Sequence, residues 1–420
     1  MTTTILNPET AGNSRTATPT AQTGCCIVGG GPAGVMLALL LARKGVDVTL
    51  LEAHKDFERD FRGDTVHPAI LEAIDQIGLS ERLHALRHTK IYHGPMLRSE
   101  TSTFSPIDFR RLRTRFPYVM LVPQARFLDL LAQEASHYPN FRLVMGARVE
   151  QLIEEGGAIR GVRYLQEDRM HELRAALTVA ADGRFSKVRR LARIEPVKTS
   201  PPMDILWFRL PHYAYEPALE AVGGGFGKGK MLAIFDRQDY WQIGYVFQKG
   251  AFAQIKAAGL EALQRSIAEI EPRFTDHVKT LTDWRQFSLL SVESSCCEQW
   301  HKPGLLLIGD AAHVMSPIGG VGINYAVQDA IVAANLLAAP LRRGDVRTPD
   351  LRKVQRARQF PTKVVQFVQS QLQKRVIAGV LKADKPLRVP AFLPWLFKLP
   401  GVRALPARIM AFGVRRVRVK

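Results

Sequence analysis

The chain has 420 residues, 46 % of them hydrophobic, with 58 Lys and Arg against 39 Asp and Glu for a formal charge of +19. That length supports a large buried core and two interpenetrating domains, and the hydrophobic share is ordinary for a soluble globular protein. The cysteines stand as two adjacent pairs, Cys25-Cys26 and Cys296-Cys297, with no C-x-x-C and no histidine at metal spacing. This argues against a disulfide framework or a metal centre and for a reducing cytoplasm.

Residues 1–23 are rich in Thr, Ser, Asn and Ala, lack an apolar core region, and read as a disordered lead-in rather than a secretory signal. Cys25 to Val28 then reads as a buried strand and Val35 to Ala42 as a helix. Between them lies G-x-G-x-x-G. Gly29 permits a tight turn, Gly31 lets a pyrophosphate approach the backbone, and Gly34, beside Ala33, lets helix and strand pack closely. The phosphates would sit at the helix N-terminus, where unpaired N–H groups favour negative charge. A second strand, Val46 to Leu51, ends at Glu52, an acid placed to accept from a ribose 2′-OH. Glu52 therefore points to FAD or NAD, an adenosine without a 2′-phosphate.

Phe61-Arg62-Gly63-Asp64-Thr65-Val66-His67-Pro68 precedes a helix at Ala69–Ile77, and Leu121 to Leu128, with Gln124 and Arg126, opens another. A strand-like run, Leu177 to Ala181, leads into Asp182-Gly183 with Ser186 and Arg189 and a short basic helix. The pattern then turns to short aromatic-rich strands at Asp204–Leu210, Met231–Phe235, Tyr240–Phe247 and Phe287–Val292, with helical stretches at 251–256 and 259–270. Strand alternation puts Trp207 and Arg209 on one face, so they enter a pocket together or not at all. Gly304 to His313 follows, with Asp310 at a strand end. Pro317-Ile318-Gly319-Gly320-Val321-Gly322-Ile323-Asn324 then leads into an apolar helix, Tyr325 to Ala338.

The three glycine-and-acid motifs around Gly29, Asp182 and Asp310, in this order and spacing, resemble the single-component, FAD-dependent aromatic monooxygenases typified by para-hydroxybenzoate hydroxylase. The resemblance covers roughly residues 24–380. It implies an α/β fold in which a Rossmann-type FAD-binding domain is interleaved with an antiparallel-sheet substrate domain, followed by a basic helical C-terminal region. The domain boundaries it implies are 1–23, 24–200 with an insertion near 85–120, 201–295, 296–345 and 346–420. By the same resemblance Asp310 faces the ribityl chain. Gly322 and Ile323 offer amides to the flavin pyrimidine edge, with Asn324 near its O2 and Pro317 and Gly320 in the same loop. Arg62 contacts FAD, Gln124 or Arg126 touches the ribityl region, and Val149 contacts adenine through its backbone. Asp182 and Gly183 serve both the pyrophosphate and a visiting NADPH or NADH. The implied reaction is NAD(P)H- and O2-dependent hydroxylation of an aromatic or polycyclic small molecule through a flavin C4a-hydroperoxide. Trp207, Arg209, Gln242 and Tyr245 are pocket candidates. No obligate base is assigned; Asp64 and His67 are proton-handling candidates, although a helix N-cap or loop role suits both.

Three other readings fit the same motifs: a flavin halogenase, though no W-x-W-x-I-P segment occurs; an FAD-dependent isoprenoid double-bond reductase; and a membrane-associated FAD module without turnover. Leu341 to Lys420 holds 20 Lys and Arg against three acids, Asp345, Asp350 and Asp384. It also holds the apolar, proline-punctuated run Val389 to Pro400. This tail fits a peripheral contact with the inner face of a membrane, or a basic helix near 351–376 packing back over the flavin domain. No nucleic-acid motif accompanies the charge.

Overall fold

The computed structural model describes residues 21–58, 64–94, 97–98, 103–216, 222–227, 229–382, 399 and 402–420. The described residues open with β1 (Ala21–Val28), cross through α1 (Pro32–Arg43) to β2 (Val48–Leu51), and pass α2 (Pro68–Gln76) and α3 (Gln124–Ser136) before β3 (Phe141–Val144). A meander of β4 (Arg148–Glu155), β5 (Ala158–Gln166) and β6 (Arg169–Ala180) brings the end of β6 parallel to β1, pairing Cys25 with Leu177 and Val28 with Ala180. After a short α4 (Lys187–Leu191) come β7 (Met203–Pro211), β8 (Gly223–Gly227), β9 (Lys230–Asp236) and β10 (Tyr240–Gln248), then α5 (Leu260–Ile270) and β11 (Ser288–Ser291). The chain returns as β12 (Leu305–Leu307) and ends with α6 (Gly322–Arg342), α7 (Thr348–Leu372) and α8 (Leu405–Phe412).

The main sheet runs His301–Lys302, β12, β6, β1, β2, β3, with β5 and β4 attached beside β6. The chain leaves β1 toward β2 on one side, while β6 occupies the other. The carboxyl ends of β1 and β6 therefore bound a crevice at a topological switch point, the usual ligand position in open α/β sheets. β1 begins at Ala21, inside the expected lead-in, because pairing of Ala21, Gln22 and Thr23 with β6 extends it. α1 is apolar all round since it is covered all round, by the sheet and by α3 and α6. Each of its fully buried leucines contributes about 1.5–3 kcal/mol through lost water contact. α6 runs beyond the expected Tyr325–Ala338 at both ends. The span Ile318–Arg342 is long and apolar enough to cross a membrane, yet 72 % of its most apolar window is buried inside the protein.

The second sheet is antiparallel in the order β8-β9-β10-β7-β11. Its period of two splits it cleanly. Leu206, Phe208, Leu210, Ile243, Tyr245 and Phe247 pack outward on α5 through Leu263 and Ile267. Ile205, Trp207, Val246 and Leu290 face the other way, toward Ile318 and Ile377. The basic α7 buries Leu351, Val354, Arg358, Thr362 and Val365. The chain end is also fastened down. Val419 N–H donates to Gln76 Oε1 (2.8 Å), Asn335 Nδ2 donates to Arg418 O (2.8 Å), and Arg416 pairs with Glu72. Residues 389–398 of the proline-punctuated run lie outside the described residues.

Candidate functional site

The first glycine motif is held by contacts that forbid side chains. Gly29 adopts φ +105, and a Cβ there would lie 2.5 Å from Ala181 O; a Cβ on Gly34 would lie 1.9 Å from Gly29 O. Strand, turn, helix and the end of β6 thus touch through backbone alone. Gly31 differs, since a Cβ there meets nothing within 4 Å. It faces the open crevice at the α1 N-terminus, where N–H groups lack helical partners. Buried Glu52 accepts from Gly30 N–H at Oε2 (2.7 Å) and from His54 N–H at Oε1 (2.9 Å). Ala147 N–H donates to Glu52 O (2.8 Å), which brings the segment leading to buried Val149 beside it.

The opposite wall joins the other two motifs. Asp182 accepts from the Ser186 hydroxyl and from Val188 N–H (3.0 Å), so its carboxylate caps α4, and burial pushes its pKa up against those bonds. Gly183, at φ +81, has open space where a Cβ would project. Buried Arg189 donates to Ala311 O (3.0 Å) and Arg184 O (3.0 Å), stapling this turn to the one holding half-buried Asp310. Ala33 lies against Gly309, 3.2 Å from the position of a Cβ there. Beneath Asp310 lies a fully buried ion cluster. Asp329 Oδ2 accepts from Gly309 N–H (3.0 Å) and meets His313 Nε2 (2.6 Å), while Arg358 Nε donates to Oδ1 (2.7 Å). Burial pushes the Asp329 carboxyl up, but His313 and Arg358 outweigh it and hold it below the usual range.

The loop before α6 forms the next wall. Pro317 starts a tight turn closed by Gly320 N–H to Pro317 O (3.0 Å). Thr65 Oγ1 donates to Gly320 O (2.9 Å) and His67 Nε2 lies 3.1 Å from the same oxygen. Gly322 leaves open space beside the α6 N-terminus, and Ile323 is buried behind it. Asn324 departs from expectation. Its Nδ2 donates to Ala411 O (3.3 Å) and its Oδ1 accepts from Gln328 Nε2 (3.2 Å), because α8 covers that side of α6. Its side chain therefore holds the C-terminal helix rather than facing the crevice. Met410 of α8 reaches the same loop, its Cε 3.1 Å from where a Gly319 Cβ would stand.

His67 occupies the N-cap position of α2 by backbone geometry, without a side-chain capping bond. Burial lowers its pKa to about 4, so it is neutral at pH 7 and serves the Gly320 loop. Asp64 does cap a helix, since Oδ1 accepts from Gln124 N–H at the first residue of α3 (3.2 Å). Gln124 is half-buried there, whereas Arg126 points outward toward Asp129 with its side chain 68 % exposed. Arg62 lies outside the described residues.

A group the sequence reading missed completes the arrangement. Arg237, after β9, places Nη2 3.2 Å from Asp64 Oδ2, is only 8 % exposed, and leaves Nη1 without a hydrogen-bond partner. Burial raises the Asp64 pKa, opposed by Arg237, by the Gln124 N–H and by Arg209. Arg209 pairs with Gln242 in register, so both lie on the inner face with Trp207, which packs on Phe235 at 6.1 Å between ring centres. Tyr245 does not join them. It pairs with Leu206 and bonds Ser266 Oγ (2.9 Å) on the outer face. A lone acid within an apolar helix was the available signal for Asp329; Arg237 and Arg358 had none, sitting among many other basic residues.

Taken together, the crevice offers two helix N-termini, open space at Gly31, Gly183 and Gly322, an acid at a strand end, and a polar wall at Asp310. This donor set fits a long, bent dinucleotide. Comparison with known proteins agrees. A family model described as an FAD binding domain matches residues 22–368. The chain is 32 % identical over 415 residues to 6-methylpretetramide 4-monooxygenase of Streptomyces rimosus, covering 97 % of each chain. It is 24 % identical over 353 residues to para-nitrophenol 4-monooxygenase of Pseudomonas sp. (strain WBC-3), covering 80 % of this chain and 83 % of the relative. Among solved structures it shares its fold with P. aeruginosa PqsL in complex with 2-aminobenzoylacetate (TM-score 0.72, 21 % identity, 86 % of this chain and 97 % of the other). It likewise matches the anhydrotetracycline hydroxylase OxyS of Streptomyces rimosus (TM-score 0.71, 23 % identity, 93 % and 76 %).

Proposed function

The chain belongs to this FAD-binding family and is an FAD-dependent monooxygenase, and from that premise we propose that it hydroxylates a polycyclic phenolic compound held through an ionised ring oxygen. The observation that carries the proposal is Arg237, a buried guanidinium on the substrate-sheet side with one nitrogen unpartnered and the other on Asp64. A desolvated cation of this kind rewards an oxyanion strongly, because a charge-assisted bond replaces an unmet donor. The ring-system part of the reading is supported by the relative named for 6-methylpretetramide, which aligns almost end to end.

When bound, FAD would carry electrons from NADPH or NADH to O2, one oxygen atom of which passes to the substrate while the other leaves as water. The residues of this chain do the rest. Gly29, Gly31 and Gly34 let a pyrophosphate reach the α1 N-terminus, Glu52 takes the ribose, and Asp310 takes the polyhydroxyl chain. Gly322 and Ile323 would offer amides to the flavin ring, where the α6 N-terminus favours negative charge. Trp207, Phe235 and Ile318 form an apolar wall that excludes water. Substrate oxyanion drawing on Arg237 weakens the hold on Asp64, whose pKa burial already raises, so Asp64 is placed to receive the proton that the phenol gives up on seating.

The test is a panel of polycyclic phenols and their O-methyl ethers, scored by stimulated NAD(P)H consumption and by product mass. Free phenols should stimulate, the ethers should not, and Arg237→Met should raise KM at least about tenfold, as expected for loss of a desolvated charge partner, while retaining FAD. Equal response to phenols and ethers, or an Arg237→Met enzyme with unchanged KM, would overturn the assignment.

A further inference from the structure

Among the described residues, α7 buries one face and leaves the other uncovered. Phe360 is 66 % exposed and Phe367 63 %, followed by Val368 at 48 % and Leu372 at 40 %. The 3.6-residue period puts Phe360, Val364, Phe367 and Val368 in one stripe. Exposed Arg352, Lys353, Arg356, Lys363, Lys374 and Arg375 flank it. No Asp or Glu occurs from Leu351 to Lys382; Asp350, in the first turn, is paired with Lys353. Arg358, the remaining cation of this helix, points inward to Asp329. The sequence thus sorts its charges: the buried one meets an acid, and the exposed ones border aromatic side chains that face solvent.

We propose that this face of α7 is a docking surface for an anionic phospholipid bilayer. Charge complementarity selects the occupant. A second copy of the chain would bring the same cations against these, which like-charge repulsion disfavours. Nucleic acid would reward the cations but leave Phe360, Val364, Phe367 and Val368 against phosphate and sugar. A bilayer surface satisfies both halves at once. Its head groups meet Lys363, Lys374 and the arginines, and its acyl boundary accepts the phenylalanines. α7 lies along the protein surface, so this is attachment in the interfacial plane and not a span.

The experiment uses the full chain loaded with FAD and co-sedimentation with vesicles of phosphatidylcholine, with or without about 30 % phosphatidylglycerol, at about 0.1 M salt. The protein should pellet with the anionic vesicles only and be released as salt rises. Phe360→Ser with Phe367→Ser should cut vesicle affinity at least about tenfold. Both sites are exposed, so the flavin spectrum and melting temperature of that variant should match the parent. Lys363→Glu with Lys374→Glu provides a second route to the same loss. No pelleting, equal pelleting of parent and Phe variant, or a concentration-dependent dimer abolished by the Phe pair would each overturn the proposal. Binding is scored without turnover, so it stands apart from the substrate assignment.

Discussion

Replacing Arg358 by methionine removes one cation from the ion cluster beneath the flavin motif while keeping most of the apolar volume. Arg358 and Asp329 are both fully buried, and only Nε of the guanidinium bonds the acid; Nη1 and Nη2 have no hydrogen-bond partner, and the group lies over the Tyr325 ring at 5.2 Å. Removing one member of a buried pair costs about 3–5 kcal/mol because the other charge is stranded. Asp329 keeps His313 and the Gly309 N–H, so the lower end, about 3 kcal/mol, is expected. At about 2 cal/mol/K of unfolding entropy per residue, a chain of this length loses about 3 °C in Tm for that amount. Because Asp329 positions Gly309, FAD retention should fall with it. The assay is thermal unfolding followed by flavin fluorescence, for Arg358→Met, Asp329→Asn and the double variant. The double variant should melt above the sum of the two losses, since neither charge is then stranded. A Tm within about 1 °C of the parent for Arg358→Met, or strictly additive losses, would show that Arg358 and Asp329 are not coupled.

The glycines separate by geometry: Gly34→Ala should abolish FAD binding and lower expression, with its Cβ 1.9 Å from Gly29 O, whereas Gly31→Ala should fold normally and weaken FAD alone, measurable by flavin titration. His67 supplies a pH signature, its folded pKa of about 4 lying below the unfolded value. The unfolded chain therefore takes the proton first, and stability, complete above about pH 6.5, falls on acidification toward pH 4 by up to about 1.4 kcal/mol per unit. Parallel denaturation curves for the parent and His67→Gln should differ in slope across that window; identical slopes would remove His67 as the cause. Asn324→Ala should cost about 1–2 kcal/mol through unmet partners, Ala411 O on α8 and Gln328 Nε2 on α6, with an unchanged flavin reduction potential. A shifted potential would instead return Asn324 to the flavin edge.

Much of the architecture was legible because it is written in local chemistry. The turn around Gly29 is recognisable from glycine spacing, since backbone contacts leave no alternative residue, and the substrate strands are recognisable from their alternation. What stayed hidden depends on distant pairing. Tyr245 has the residue type of a pocket lining, but only its register with Leu206 places it on the outer face. Asn324 follows its glycines in the expected order, yet a helix some 80 residues later captures its amide. Arg237 looks like any turn arginine until the fold sets it on Asp64. Asp182 reads as a ligand-facing acid, while its oxygens are committed to Ser186 and Val188. The basic tail shows its charge in composition, but which cations are buried follows only from how α7 packs.

The most direct measurement of the central claim is the origin of the oxygen in the product. Purified protein, FAD, NAD(P)H and a stimulating polycyclic phenol are incubated under isotopically labelled O2, and the product is analysed by mass spectrometry. A monooxygenase yields a product carrying a single labelled oxygen, formed in step with NAD(P)H consumed, and none under anaerobic conditions. A product gaining two hydrogens without O2, or oxygen drawn from water, would contradict that assignment.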